Sequence, residues 1–432
     1  MTGVAATLEL RRGACPGLSV PMPSGDGLLA RLRPTGTISL SAFAALCAAA
    51  RDFGNGVIEI TGRGSIQIRG LTAASAPRFA DAVSALRIAA DDGIPVHSSA
   101  LAGLDAQEIL DANSVAADLR RALAATSLPA RLSPKISVAI DGGGVLSLDD
   151  LAADVRLRAD LVNNAAVLQV GVAGDAATAK NLGVVASMDG VEAARRILEV
   201  IARHGRAARA RDVLATDGAG PFKAVLAGLI VAPDHYDAGS AARMKGAIGR
   251  HVLRDGSFAY GLGFAFGHAE ATTLESLAQA ANMCGATGIR AAAGRALLII
   301  GLTQHTAPVV AAEAEKLGFI VRTDDTRRRV VACAGAPICA SAHIASRNIA
   351  PAIADVAGKY LDSNFRIHIS GCAKGCAHAG PANLTVVGRN DGCAVIANGT
   401  VHDAPLALTT VNELPAVLAD LAQQAEGNAR YV

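Results

Sequence analysis

The chain has 432 residues, 51% of them hydrophobic and 3% aromatic, with no tryptophan and a formal net charge of +2. That length suits two or three domains with cores built from Ala, Val, Leu and Ile; so small a charge, with no basic stripe interleaved with aromatics, excludes nucleic acid as a partner. No apolar run reaches the roughly 18 residues of a membrane helix and the N-terminal segment lacks a basic-then-apolar layout, so no membrane and a cytoplasmic location with reduced thiols are expected.

In chain order, Arg31 and Arg33 come first, readable as donors to a ligand or as a solvated edge-strand face. A segment led by Ser39 and Ser41 has helical periodicity. It runs into Gly54–Leu71, GNGVIEITGRGSIQIRGL, where Ile58 and Ile60 alternate with Glu59 and Thr61, and Ile66 and Ile68 with Gln67 and Arg69. Period-two alternation predicts two adjacent strands, isoleucines on the core face and the polar set opposite. Lys135–Gly143, KISVAIDGG, predicts a further strand. Val170–Gly183 reads as a strand entering Gly171 and Gly174 before a helix-like stretch, a candidate carboxylate or phosphate site without dinucleotide-motif spacing.

The pattern then returns. A segment led by Thr273 and Ser276 precedes Gly285–Leu302, GATGIRAAAGRALLIIGL, which keeps core positions Ile289, Leu297 and Ile299. Its formerly polar positions are Arg290, Ala292, Leu298 and Ile300. Asn364–Cys372, NFRIHISGC, answers Lys135–Gly143, with Phe365, Ile367 and Ile369 on Ile136, Val138 and Ile140. The chain is therefore expected to be a duplicated α/β unit with one composite site, the first half keeping a polar sheet face and the second carrying thiolates.

Of eight cysteines, Cys15, Cys47, Cys284 and Cys393 stand apart and are expected to be small buried hydrophobes. The other four are paired: Cys333 and Cys339 as C-x5-C, Cys372 and Cys376 as C-x3-C. Four soft thiolates from two segments suit an iron–sulfur cube, with Gly371 and Gly375 leaving room for inorganic sulfide and Pro337 stiffening the other loop. A helical turn through Cys372–Cys376 would put both sulfurs on one face. Zinc is the competing ion, and C-x5-C fits its usual knuckles poorly.

C-x5-C followed by G-C-x3-C resembles the signature of the sulfite/nitrite reductase superfamily, and the resemblance covers nearly the whole chain. It implies an α+β fold of two ferredoxin-like half-modules (1–72 and 213–303) and two larger α/β modules (73–212 and 304–432), related by a pseudo-twofold axis. It also implies a 4Fe-4S cluster on Cys333, Cys339, Cys372 and Cys376, with siroheme, or a non-haem iron in its place, and Cys376 as the axial bridge to siroheme iron. Arg12–Gly17 (RGACPG), the Q-x-R-G segment and Gly371–Gly388 look closest to the cobalamin-pathway branch, the precorrin-3B synthases. That branch implies a monooxygenase which hydroxylates precorrin-3A at C20 with O2 and closes a lactone. Its electrons come ultimately from NAD(P)H through a separate reductase. An assimilatory sulfite or nitrite reductase is the alternative, and a bare electron carrier ranks last.

Arg63 matches a family anion-site arginine and Lys135 one of its two lysines, while the second lysine position is Ser137, a departure that weighs against anion reduction. These two are the expected catalytic residues. A tetrapyrrole polycarboxylate calls for separated guanidinium forks, and Arg31, Arg33, Gln67 and Arg69 are the expected cofactor- or substrate-binding set, with Cys376. His378 and Lys374 flank the cysteines as a structural or proton-carrying histidine and a charge-tuning lysine.

Overall fold

The structure, a computed structural model, describes residues 16–232, 246–360, 365–378 and 380–429. Arg12–Cys15, Asn364 and Ala379 therefore lie outside the described residues. Both copies of the repeat fold as helix, strand, strand. Helix Leu40–Phe53 leads to antiparallel strands Val57–Ile60 and Ile66–Leu71, with Ile58 opposite Ile68 and Ile60 opposite Ile66. Helix Ala271–Met283 leads to Gly288–Ala292 and Ala296–Leu302, with Ile289 opposite Ile299.

Ser39 caps the first helix, its hydroxyl accepting from the Ala42 amide at 3.2 Å. The second helix departs from expectation, starting at Ala271, ahead of Thr273 and Ser276. Neither hydroxyl caps it; the Ala271 amide instead donates to the Gly56 carbonyl at 2.7 Å. A tertiary contact between the copies replaces a local cap.

The copies also exchange backbone. Strand His268–Glu270 of the second half joins the first half's sheet beside Val57–Ile60. Ile38 and Ile289 trade amide-to-carbonyl bonds of 2.8 Å across the halves. Phe43, Ile58, Ile60 and Ile68 share one core with Leu274, Leu297 and Ile299, all essentially sealed from water. Burying both apolar faces against one another gives the two half-modules a single core, in which Phe43, Phe79, Phe264 and Phe319 supply the aromatic bulk.

Two larger sheets follow the same plan as each other. In one, Val96–Ser98, Val138–Asp141 and Ala153–Val162 run parallel before an antiparallel extension. In the other, Val330–Ala332, Ile367–Ser370 and Ala382–Arg389 do so. The echo seen in sequence falls on the central parallel strands. The architecture is thus α+β, with the duplication the sequence implied.

One further expectation fails. Val170–Gly183 forms no helix start: Ala165–Gly174 and Lys180–Ala186 are an antiparallel hairpin, turned where Asp175 accepts from the Ala177 and Thr178 amides. On the polar face of the first sheet Glu59, Gln67 and Arg69 are buried. The C-terminal module covers them. The matching face of the second copy, Ala292, Leu298 and Ile300, packs on Leu101 and Leu146 of the N-terminal module. Among the described residues no helix is long and apolar enough to cross a membrane.

Candidate redox site and arginine cavity

The parallel strands of the C-terminal module deliver the cysteines. Val330–Ala332 ends at Cys333, whose amide donates to the Ile369 carbonyl at 3.1 Å, while the Gly371 amide donates to Cys333 Sγ at 3.1 Å. The Cys333–Cys339 loop folds back through Cys339 N–H to Gly335 O (2.8 Å) and Ala336 N–H to Ile344 O (2.9 Å). Gly335 has φ +70° and a Cβ there would lie 2.3 Å from the Ser346 amide nitrogen, so only glycine serves. Lys374 Nζ donates to Ser341 Oγ at 2.8 Å, tying the two cysteine loops together.

Cys372–Cys376 is not a helical turn: it is irregular, with Gly375 in the left-handed region at φ +62°. Cys333, Cys339 and Cys372 are half-buried and Cys376 is exposed. The Cys376 thiol is raised above its ordinary value by burial first and then by Cys372, Cys333 and Cys339, with Lys374 opposing. The Cys376 thiol thus feels the other three electrostatically, but among the described residues no three His, Cys, Asp or Glu side chains are grouped so as to hold a metal ion. The donor set suits a cluster: four soft ligands, an amide already aimed at sulfur and glycines beside them. At the corresponding strand ends of the N-terminal module, carboxylates do the work. Asp105 accepts from the Val145 amide (2.6 Å) and Asp141 from Gly143 and Leu148 (2.9 and 2.6 Å). Only one module can hold thiolate-bound metal.

A cavity opens between the first sheet, the second hairpin and the N-terminal module, lined by Arg33, Arg63, His97, Arg120 and Arg290 among others. Arg33 is held by the Asp91 and Gly93 carbonyls (2.8 and 2.7 Å). Arg63 reaches Ser137 Oγ at 3.1 Å and the Ala152 carbonyl at 3.0 Å, so the position that departs from the family's second lysine touches this arginine directly. Nε2 of His97 is enclosed without a partner, and burial, then Arg63, Arg33 and Arg120, push its pKa down to about 3. Arg33 and Arg63 are therefore brought together. Lys135 is exposed and is not among the lining residues.

Arg31, Gln67 and Arg69 sit elsewhere on that sheet. With its amide oriented to satisfy both neighbours, Gln67 donates to Glu59 Oε2 (2.9 Å) and accepts from Arg31 Nε (3.0 Å). Arg69 pairs with Asp26 (3.0 Å) and Glu59 (3.3 Å). They form one buried ionic network beneath the C-terminal module.

Tertiary structure adds residues that sequence reasoning missed. Turn 61–65 meets the second hairpin's turn through Arg63 and Ala293, and there Arg295 Nη2 donates to the Ala377 carbonyl (2.8 Å), next to Cys376. The repeat carried a signal for Arg295, since its A-G-R turn answers the G-R-G of Arg63. No signal marked Arg347, His268 or His368. Arg347 Nη2 donates to Glu59 Oε1 (2.7 Å), but its Nε and Nη1, His268 Nδ1 and both ring nitrogens of His368 are buried without partners. His378 stacks edge-on to His368 at 5.7 Å. Unpartnered buried donors of this kind cost free energy unless a ligand meets them.

Residues 20–86 match the family described as the nitrite/sulfite reductase ferredoxin-like half domain. The chain is 38% identical to a precorrin-3B synthase of Sinorhizobium sp over 432 residues, 99% of this chain and 92% of the relative. It is 26% identical to a ferredoxin–nitrite reductase of Synechococcus elongatus over 395 residues, 84% and 77% of the two chains. The Mycobacterium tuberculosis NirA structure shares the fold, with TM-score 0.77 at 19% identity over 92% of this chain and 80% of that one. Such near-complete coverage by a relative of known type means that the chain belongs to the precorrin-3B synthase family, on a nitrite/sulfite reductase fold.

Proposed function

We propose that the chain hydroxylates precorrin-3A at C20 with O2, with lactone closure, as an oxidoreductase of aerobic cobalamin synthesis in the cytoplasm. The observation that carries this reading is the meeting of the two hairpin turns. One sends Arg63 into the arginine cavity and the other sends Arg295 to the carbonyl beside Cys376. Electron-transfer ligands and polycarboxylate-binding groups thus adjoin within one chain, whose modules we divide at 1–72, 73–212, 213–303 and 304–432.

In this reading Cys333, Cys339, Cys372 and Cys376 would hold a 4Fe-4S cluster, with Cys376 also serving siroheme or a non-haem iron. These groups supply electrons singly and a site for O2 reduction. Arg33 and Arg63 bind substrate carboxylates, already oriented by backbone carbonyls, so little side-chain entropy is lost on binding. Arg347 offers two buried donors with no protein acceptor, suited to a further carboxylate. Lys135, exposed and outside the cavity lining, is assigned no substrate contact. A separate reductase delivers the electrons. Ser137 in contact with Arg63 removes one cation from where a small dianion would bind, which favours the macrocyclic substrate over sulfite or nitrite.

The test is anaerobic purification, spectrum, iron and sulfide analysis, then turnover of precorrin-3A under labelled O2 with an artificial reductant. Cluster absorbance and label in a lactone product support the reading. Sulfite or nitrite reduction with extractable siroheme, and no label in tetrapyrrole, would replace it with the reductase alternative.

A further inference from the structure

The buried network under the C-terminal module reaches the cysteine loop itself. Arg69 Nη2 donates to the Ile338 carbonyl at 3.2 Å, and Ser24 Oγ donates to the same oxygen at 3.1 Å. Ile338 immediately precedes Cys339. Arg69 also bonds Ser24 directly and is fixed by both oxygens of Asp26, its Nε to Oδ2 at 3.0 Å and its Nη2 to Oδ1 at 3.1 Å. The turn carrying these groups lies hard against the loop: a Cβ on Gly25 would stand 2.6 Å from the Ala340 nitrogen and 2.8 Å from the Ile338 oxygen. Past the loop, Arg347 is tied to the same network through Glu59.

We infer that Arg69, with Ser24 and Asp26, is a positioning group for the cluster-binding loop rather than a ligand of the tetrapyrrole. Every strong acceptor near Arg69 is already supplied by protein, and its side chain is only 5% exposed. A guanidinium locked to a carboxylate on one side holds the loop carbonyl on the other at a fixed distance, which sets where the Cys339 sulfur can go. The N-terminal hairpin of one half-module thereby shapes the metal site of the opposite module. This rests on the reading of the four cysteines as cluster ligands.

The experiment compares the full chain with Arg69→Met, Ser24→Ala, Gly25→Ala and Cys339→Ala. Each is purified anaerobically and read for iron and sulfide per chain, the cluster's paramagnetic signal and potential, its decay in air, and KM for the tetrapyrrole. Losing a buried charged donor to a carbonyl should speed air decay roughly 10-fold or more in Arg69→Met. Gly25→Ala should act in the same direction by displacement and Ser24→Ala less strongly, with the paramagnetic signal shifted and KM unchanged in all three. Hydrogen exchange of the unloaded protein should rise over 333–345 and not over the distant Val170–Gly183 hairpin, which separates loop release from misfolding. Raised KM with an unaltered cluster in Arg69→Met and Gly25→Ala would overturn the inference and return Arg69 to tetrapyrrole binding. Full iron content in Cys339→Ala would instead overturn the cluster reading itself.

Discussion

Acidification tests the arginine cavity most directly, through His97. Its ring lies among Arg33, Arg63 and Arg120, and its pKa falls from the ordinary 6.5 to about 3 because burial and three guanidinium charges oppose protonation. The unfolded chain takes up this proton as pH falls through 6.5, whereas the folded chain stays neutral until about 3. Stability from this group is therefore fully present above 6.5 and drains away as pH falls from there toward 3. At 1.36 kcal/mol per pH unit, one such histidine costs about 2 kcal/mol between roughly pH 7 and pH 5. The assay is urea unfolding of the wild type and His97→Gln at both pH values and constant ionic strength. The wild type should lose about 2 kcal/mol more than the variant over that interval. Equal losses would show that His97 is not held neutral, and the account of the cavity's field would fail.

Two other perturbations probe the frame and the cavity. Ile299→Ala empties a fully buried position of the core shared by both half-modules and should cost about 3 kcal/mol in urea unfolding, in one transition. Separate melting of a first half untouched by the change would deny the shared core. Arg63→Met removes a cavity guanidinium with little change in bulk, and should raise KM for a tetrapyrrole carboxylate roughly 10- to 100-fold while leaving iron and sulfide content intact. An unchanged KM would take Arg63 out of the binding site.

Features that depend on local spacing were legible in the order of residues. Period-two isoleucines defined the two hairpins, because a strand's side chains alternate whatever packs on it. The repeat defined the duplication, and C-x5-C and C-x3-C fell in loops that follow two adjacent parallel strands. Which polar residues share a site depends instead on how the modules pack. Arg31, Gln67 and Arg69 lie on one sheet, and Arg33 directly follows its strand Gly27–Leu32. Yet Arg33 lines the cavity with Arg63, while the other three are consumed by Asp26, Glu59 and one another. That sorting depends on which module covers each end of the face, and the contacting residues lie 58 positions away at one end and 288 at the other. For the same reason Arg347, His268 and His368 were invisible singly: a buried polar atom acquires meaning from what it lacks in three dimensions, and sequence carries no measure of that.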